Sequence, residues 1–188
     1  AERYPHCRQL HIEPAWECGR CLASGEHTPD TAQFLEGFLA ALAALPKGSP
    51  RLVFSAARQE HLTTTFCAVS RNSFVVTAEG LVTACYEVCE TSDPRGERFI
   101  YGHYDFTGHR YVFDREKMAA LHGLTVPHMP QCRDCFCKYH CAGDCPAKLL
   151  ENDAPADHRG SGRCRITRAI TLHQLSASLG ATETEDNP

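Results

Sequence analysis

Five cysteines fall within fourteen residues of this chain: Cys132, Cys135, Cys137, Cys141 and Cys145, in the stretch CRDCFCKYHCAGDC. Thiols this dense seldom serve as core filling. They bind metal or form disulfides, and that choice governs what the chain can fold into. The whole sequence carries twelve cysteines in 188 residues. A disulfide scaffold is usually smaller and richer in loops. Here helical and strand periodicities are sufficient for an ordinary core, so the thiols are expected to hold metal in a reducing, cytoplasmic setting.

Composition narrows the function classes. The formal net charge is −4, and no long basic run occurs, so nucleic-acid binding has no electrostatic support. No apolar run approaches the length of a membrane span. The opening residues AERYPHCRQL lack a starting Met and an apolar signal core, which leads us to expect a chain that is not secreted.

The first sixty residues read as strand, loop, helix, strand. Residues 9–14, QLHIEP, suggest a short buried strand ending at proline. A C-x2-C loop follows, Cys18-Gly-Arg-Cys21. Asp30 is suited to cap a helix, with Gln33 placed as in a capping box. Phe34, Leu35, Phe38, Leu39, Leu42 and Leu45 recur at helical spacing until Pro46 and Gly48 stop the run. RLVFS, 51–55, is a second strand, and the set makes a βαβ unit. Beyond it, Phe74–Thr77 and Leu81–Cys85 form a hairpin turned at Gly80, where positive φ favours glycine. A third strand is predicted through Arg98–Tyr101. A short helix is predicted over 114–122 with Asp114 as its cap. A closing helix over Arg165–Leu179 turns Ile166, Ile170 and Leu175 inward, and 181–188 reads as a frayed tail.

The cysteines follow one ordered pattern. Cys67-x12-Gly80-x4-Cys85 precedes Cys132-x2-Cys135-x5-Cys141-x3-Cys145, and Cys164 follows. This resembles the seven-cysteine signature of the SPASM domain, the C-terminal extension of many radical S-adenosylmethionine enzymes. The resemblance covers about a hundred residues, with all seven cysteines and the glycine at family spacing. It implies an α+β chain with terminal βα units of a partial β/α barrel over residues 1–60. A small cysteine-rich auxiliary domain would occupy 61–180, and the tail 181–188.

The resemblance further implies two [4Fe–4S] clusters with interleaved ligands. Cys67, Cys85 and Cys145 would serve the first. Cys132, Cys135, Cys141 and Cys164 would serve the second, so that the last cysteine of the dense run crosses to the other cluster, as in two-cluster ferredoxins. Some family members place a further cysteine six residues before the first motif cysteine, where this chain has His61. The fourth position of the first cluster is thus open to His61, to Cys89 or to substrate. Cys137 reads as packing between ligands. Cys7 carries no readable signal, and Cys18 and Cys21 are half a metal site at most. His140, beside Cys141, is placed either to support a ligand or to sit in solvent.

The radical-generating C-x3-C-x2-C sequence is absent. Its nearest approach, Cys137-x3-Cys141-x3-Cys145, has a second gap one residue too long. The chain is therefore expected to be a C-terminal piece, inactive alone, of an enzyme whose missing barrel would hold S-adenosylmethionine and a third [4Fe–4S] cluster. The implied activity is hydrogen abstraction from a peptide or protein side chain, with the auxiliary clusters relaying electrons or holding substrate. Flavodoxin or ferredoxin would be the electron donor. Anaerobic sulfatase maturases carry an Asp directly after the second hairpin cysteine. Tyr86 stands there instead, which favours a ribosomal natural-product precursor as substrate. Glu87 and Glu13 are weak catalytic candidates, Glu87 as a base and Glu13 at a barrel strand end. The plainer reading of Glu87 is a solvated edge-strand Glu. Two rivals are a zinc-binding interaction module built on Cys132–Cys145 and a standalone iron–sulfur electron carrier.

Overall fold

The computed structural model describes residues 6–15, 24, 30–46, 49–149 and 162–185. These form a mixed α+β chain with two small sheets and, among the described residues, six helices. They divide into two compact units, one drawn from Ala1–His61 and Gly160–Pro188, the other from Leu62–Arg159.

In the first unit, β1 (Gln9–His11) pairs parallel with β2 (Arg51–Val53), and α1 (Thr31–Ala44) lies between them in sequence. The Asp30 carboxylate accepts a hydrogen bond from the Ala32 N–H at 2.9 Å, which satisfies one of the donors that every helix start leaves open. The apolar stripe of α1 buries Phe38, whose ring packs with Phe34 and Phe54. Against α1 lies α6 (Gly162–Glu185), with Ile166 and Ile170 buried and Leu175 partly so. The βαβ reading thus matches these elements, with two departures. β1 is exposed rather than buried, Leu10 at 43% and Ile12 at 38%, because among the described residues it pairs with β2 alone. The closing helix also continues to Glu185, into the segment expected to fray. The Cys18–Cys21 loop and Gly48 lie outside the described residues.

The second unit is built on an antiparallel four-stranded sheet in the order β3 (Val75–Val76), β4 (Leu81–Thr83), β5 (Ile100–Asp105), β6 (Arg110–Phe113). Gly80 makes the first turn with φ +82°, a left-handed conformation that a side chain strains. The strand predicted over Arg98–Tyr101 is helical at its start, α2 (Gly96–Phe99), and then runs on as β5. β6 extends the sheet beyond what was expected. Helix α3 (Arg115–His122) starts at Asp114, whose side chain accepts from the Lys117 N–H at 3.0 Å. Val69, Val82, Ala84, Cys85, Val88, Phe99, Tyr101, Leu121 and Ala147 close the core. Two one-turn helices, α4 (Lys138–Cys141) and α5 (Pro146–Leu149), carry the cysteine-rich segment past it.

The division between units falls between His61 and Leu62. The helix α6 groups with the first unit through its packing on α1.

Candidate metal centre

Three cysteines from three separate segments meet at the core of the second unit. Cys85 follows β4 and is 7% exposed, and Cys67 and Cys145 pack, partly buried, against the same core cluster. Each arrives by a local device. Cys67 caps the 3-10 turn Ala68–Ser70. Cys85 opens a turn closed by Val88 N–H donating to Cys85 O at 3.1 Å. Thr83 steadies it, accepting from the Cys85 N–H at 3.3 Å through a hydroxyl with no solvent exposure. Cys145 stands just before Pro146, the first residue of α5, a position where proline's missing N–H costs nothing.

Burial pushes the Cys85 thiol up from its ordinary pKa, and the charges of Glu87, Cys145 and Cys67 push it further, against a hydrogen bond from the Glu87 N–H. Cys145 is raised chiefly by burial, while the N–H groups of Lys148 and Ala147 aim at its sulfur and favour the thiolate. Backbone N–H groups directed at cysteine sulfur are among the features that tune iron–sulfur centres. Three thiols in a poorly solvated place resist ionising together, a cost that a bound soft cation offsets.

The stretch between Cys141 and Cys145 is unusual in its backbone. Ala142, Gly143 and Asp144 have φ of 56°, 84° and 62°, three left-handed residues in succession. Asp144 is 4% exposed and its Oδ1 accepts from the Cys145 N–H at 2.7 Å. The Met129 thioether lies over Gly143, where any Cβ would collide with it. Neither this turn nor the N–H groups aimed at sulfur were foreseen. The Ala-Gly-Asp between the two cysteines was the available signal, since Gly and Asp tolerate positive φ better than most residues.

The other predicted ligands are on one continuous loop, except for one. Cys132 ends the 3-10 turn Pro130–Cys132, and its carbonyl accepts from the Cys135 N–H at 3.1 Å, so the C-x2-C pair shares a tight turn. Cys141 ends α4, with its N–H on the Cys137 carbonyl at 2.9 Å. Cys137 is buried at 1% exposure, and its Sγ is 3.5 Å from that of Cys135. His140 donates its backbone N–H to the Cys137 carbonyl at 3.0 Å. Cys164 lies in the first turn of α6, partly buried, in the other unit.

Cys89, Glu87 and Glu13 have local partners. Cys89 points its thiol at the Tyr86 carbonyl, 3.0 Å away. His61 is exposed and ends the first unit. Glu87 sits beside Arg95, which lies 3.9 Å from its carboxylate, donates to its carbonyl at 3.4 Å, and is itself held by Asp93. Tyr86 is 77% exposed, and the Glu87 charge is the main cause of its raised pKa. Glu13 accepts from the Ser55 N–H at 2.7 Å and lies 3.6 Å from the Arg163 guanidinium, which also covers the Phe54 ring. Those contacts make it a brace for the first unit.

Among the described residues, no three His, Cys, Asp or Glu side chains are gathered closely enough to hold one metal ion. A mononuclear zinc site needs all its sulfurs at about 2.3 Å from one point. No protein-family model, curated protein or solved structure matches this chain.

Proposed function

We propose that this chain is the auxiliary iron–sulfur portion of a radical S-adenosylmethionine enzyme that modifies a peptide or protein. The observation that carries the reading is the meeting of Cys67, Cys85 and Cys145, remote in sequence, at one buried place. The seven-cysteine spacing supports it independently. Cys67, Cys85 and Cys145 would hold one [4Fe–4S] cluster, and Cys132, Cys135, Cys141 and Cys164 the other. When bound, such clusters supply one-electron transfer at potentials set by charge, burial and hydrogen bonds to sulfur.

The chain's own residues then have definite tasks. Glu87, Ala147 and Lys148 direct N–H groups at two of the sulfurs and favour their charged form. Thr83 and Asp144 fix the backbone at Cys85 and Cys145. Val69, Val82 and Phe99 keep water from the first set. Arg95 steadies Glu87, so its carboxylate stays near Cys85. The missing barrel would contribute S-adenosylmethionine, the third cluster and the radical step, and a ribosomal peptide precursor is the substrate class this reading favours.

Anaerobic reconstitution of the full chain tests it. The expected product is brown, with about eight irons and eight sulfides per chain. Cys85→Ser and Cys145→Ser should each lower both counts by about half. A colourless protein binding one or two zinc ions, or a brown one in which Cys85→Ser changes neither count, overturns the assignment.

A further inference from the structure

The signature leaves Cys137 without a task, yet among the described residues it is one of the most buried thiols, and its sulfur lies 3.5 Å from that of Cys135. The two belong to one local frame. Cys135 accepts at its carbonyl from the Lys138 N–H at 3.3 Å, and Cys137 opens α4 by accepting from the Cys141 N–H. Cys135 is partly exposed, and Cys137 is covered. A disulfide needs its sulfurs about 1.5 Å closer than this contact.

We propose that Cys135 and Cys137 form a reversible thiol–disulfide latch, closed by peroxide, that withholds Cys135 from metal. Peroxide meets the accessible thiol first. The Cys135 sulfur attacks the O–O bond and becomes a sulfenic acid as one water leaves. The Cys137 thiol then attacks that sulfur, the S–S bond forms and the S–O bond breaks, and a second water departs. Two thiols and one hydrogen peroxide thus become one disulfide and two waters. Burial of Cys137 shields it from direct oxidation and makes it the resolving partner. The ring encloses Phe136 alone. So small a loop gains little from chain entropy, and a disulfide of this kind is easily reduced. The latch therefore opens again with a dithiol. Formation of the disulfide follows from the geometry, whereas its effect on metal loading rests on the proposed role of Cys135 as a cluster ligand.

Trypsin cuts after Arg133 and Lys138, so residues 134–138, DCFCK, emerge as one peptide containing just these two cysteines. The full metal-free chain is treated with hydrogen peroxide, alkylated and digested. The expected peptide is two hydrogens lighter than the reduced form, carries no alkyl group, and regains two alkylation sites after dithiothreitol. Two alkylated thiols after peroxide, sulfinic acids, or a link to another peptide each overturn the latch. The second measurement is iron uptake after peroxide without reductant. Oxidised wild type should take up about half the iron of untreated wild type, and dithiothreitol before loading should restore it, whereas in Cys137→Ser and Cys137→Ala the Cys135 sulfenic acid has no thiol to resolve it, runs on to sulfinic acid under excess peroxide, and should leave uptake low after dithiothreitol. Equal uptake by oxidised and untreated wild type, or full recovery of both variants with dithiothreitol, overturns the coupling to metal. A chain that binds no iron in any state overturns the iron–sulfur reading, and with it the coupling, while the mass of the 134–138 peptide still decides the latch.

Discussion

Cys145 packs against the core that contains Cys85, 60 positions earlier in the chain, closely enough that its charge adds to the rise in the Cys85 pKa. Two sulfurs in this relation gain from sharing a cationic cluster and lose from being ionised together without one.

That relation sets a pH dependence in the metal-free chain. Both thiols titrate above their unfolded value, about 8.5. The folded state therefore disfavours the thiolates. The stability tied to this difference is fully present below pH 8.5 and is lost as pH rises through the folded values. Melting of the apoprotein between pH 7.5 and about 10 should show a falling midpoint, and Cys85→Ser should flatten the fall. A midpoint independent of pH over that range counts against the buried pair.

Thr83→Val keeps the shape of a fully buried side chain and removes its hydroxyl. The Cys85 N–H and the Phe99 carbonyl each lose a partner at 3.3 Å. The expected cost is about 1–3 kcal/mol in urea unfolding, with reduced iron content in the reconstituted protein. Unchanged stability and iron would show that the hydroxyl is not what positions Cys85.

Gly143→Ala should cost about 1–3 kcal/mol, because the backbone there is left-handed and the Met129 sulfur occupies the space of a Cβ. Combining it with Met129→Ala should recover the steric part and leave the conformational part, a separation that a double-mutant cycle in urea reads directly.

Glu13→Ala separates brace from catalyst. It removes the acceptor of the Ser55 N–H and the carboxylate beside Arg163, whose side chain is 6% exposed. The loss should be about 1.5–3 kcal/mol of stability. Glu13→Gln, which can still accept from Ser55, should recover part of it. A Glu13→Ala chain as stable as wild type would return this residue to the list of catalytic candidates.

What could be foreseen, and what could not, follows from the range of each interaction. The caps at Asp30 and Asp114 and the turn at Gly80 are decided within four residues, and they lie where composition placed them. β6 was missed because its four residues are exposed or half-exposed and carry no buried-strand signature. Its clue was subtler. Tyr104 pairs with Tyr111 across the two strands and packs on Phe106, Tyr111 in turn packs on Phe113, and Asp105 turns the chain by accepting from the Thr107 and Gly108 N–H groups at 3.0 Å. The ordering of the thiols was legible as spacing. Which backbone groups address each sulfur was not, since Ala147 and Lys148 act through their N–H groups and side-chain identity says nothing of them.

The backward-winding segment Ala142–Asp144 carries a consequence for chain length. Cys141 finishes a helical turn, and three residues of opposite hand then redirect the path so that Cys145 reaches the sheet's core. An inserted residue would rotate everything downstream and aim that sulfur elsewhere. The interval between these two cysteines thus acts as a ruler, intolerant of one residue more or fewer even where the residues themselves can change.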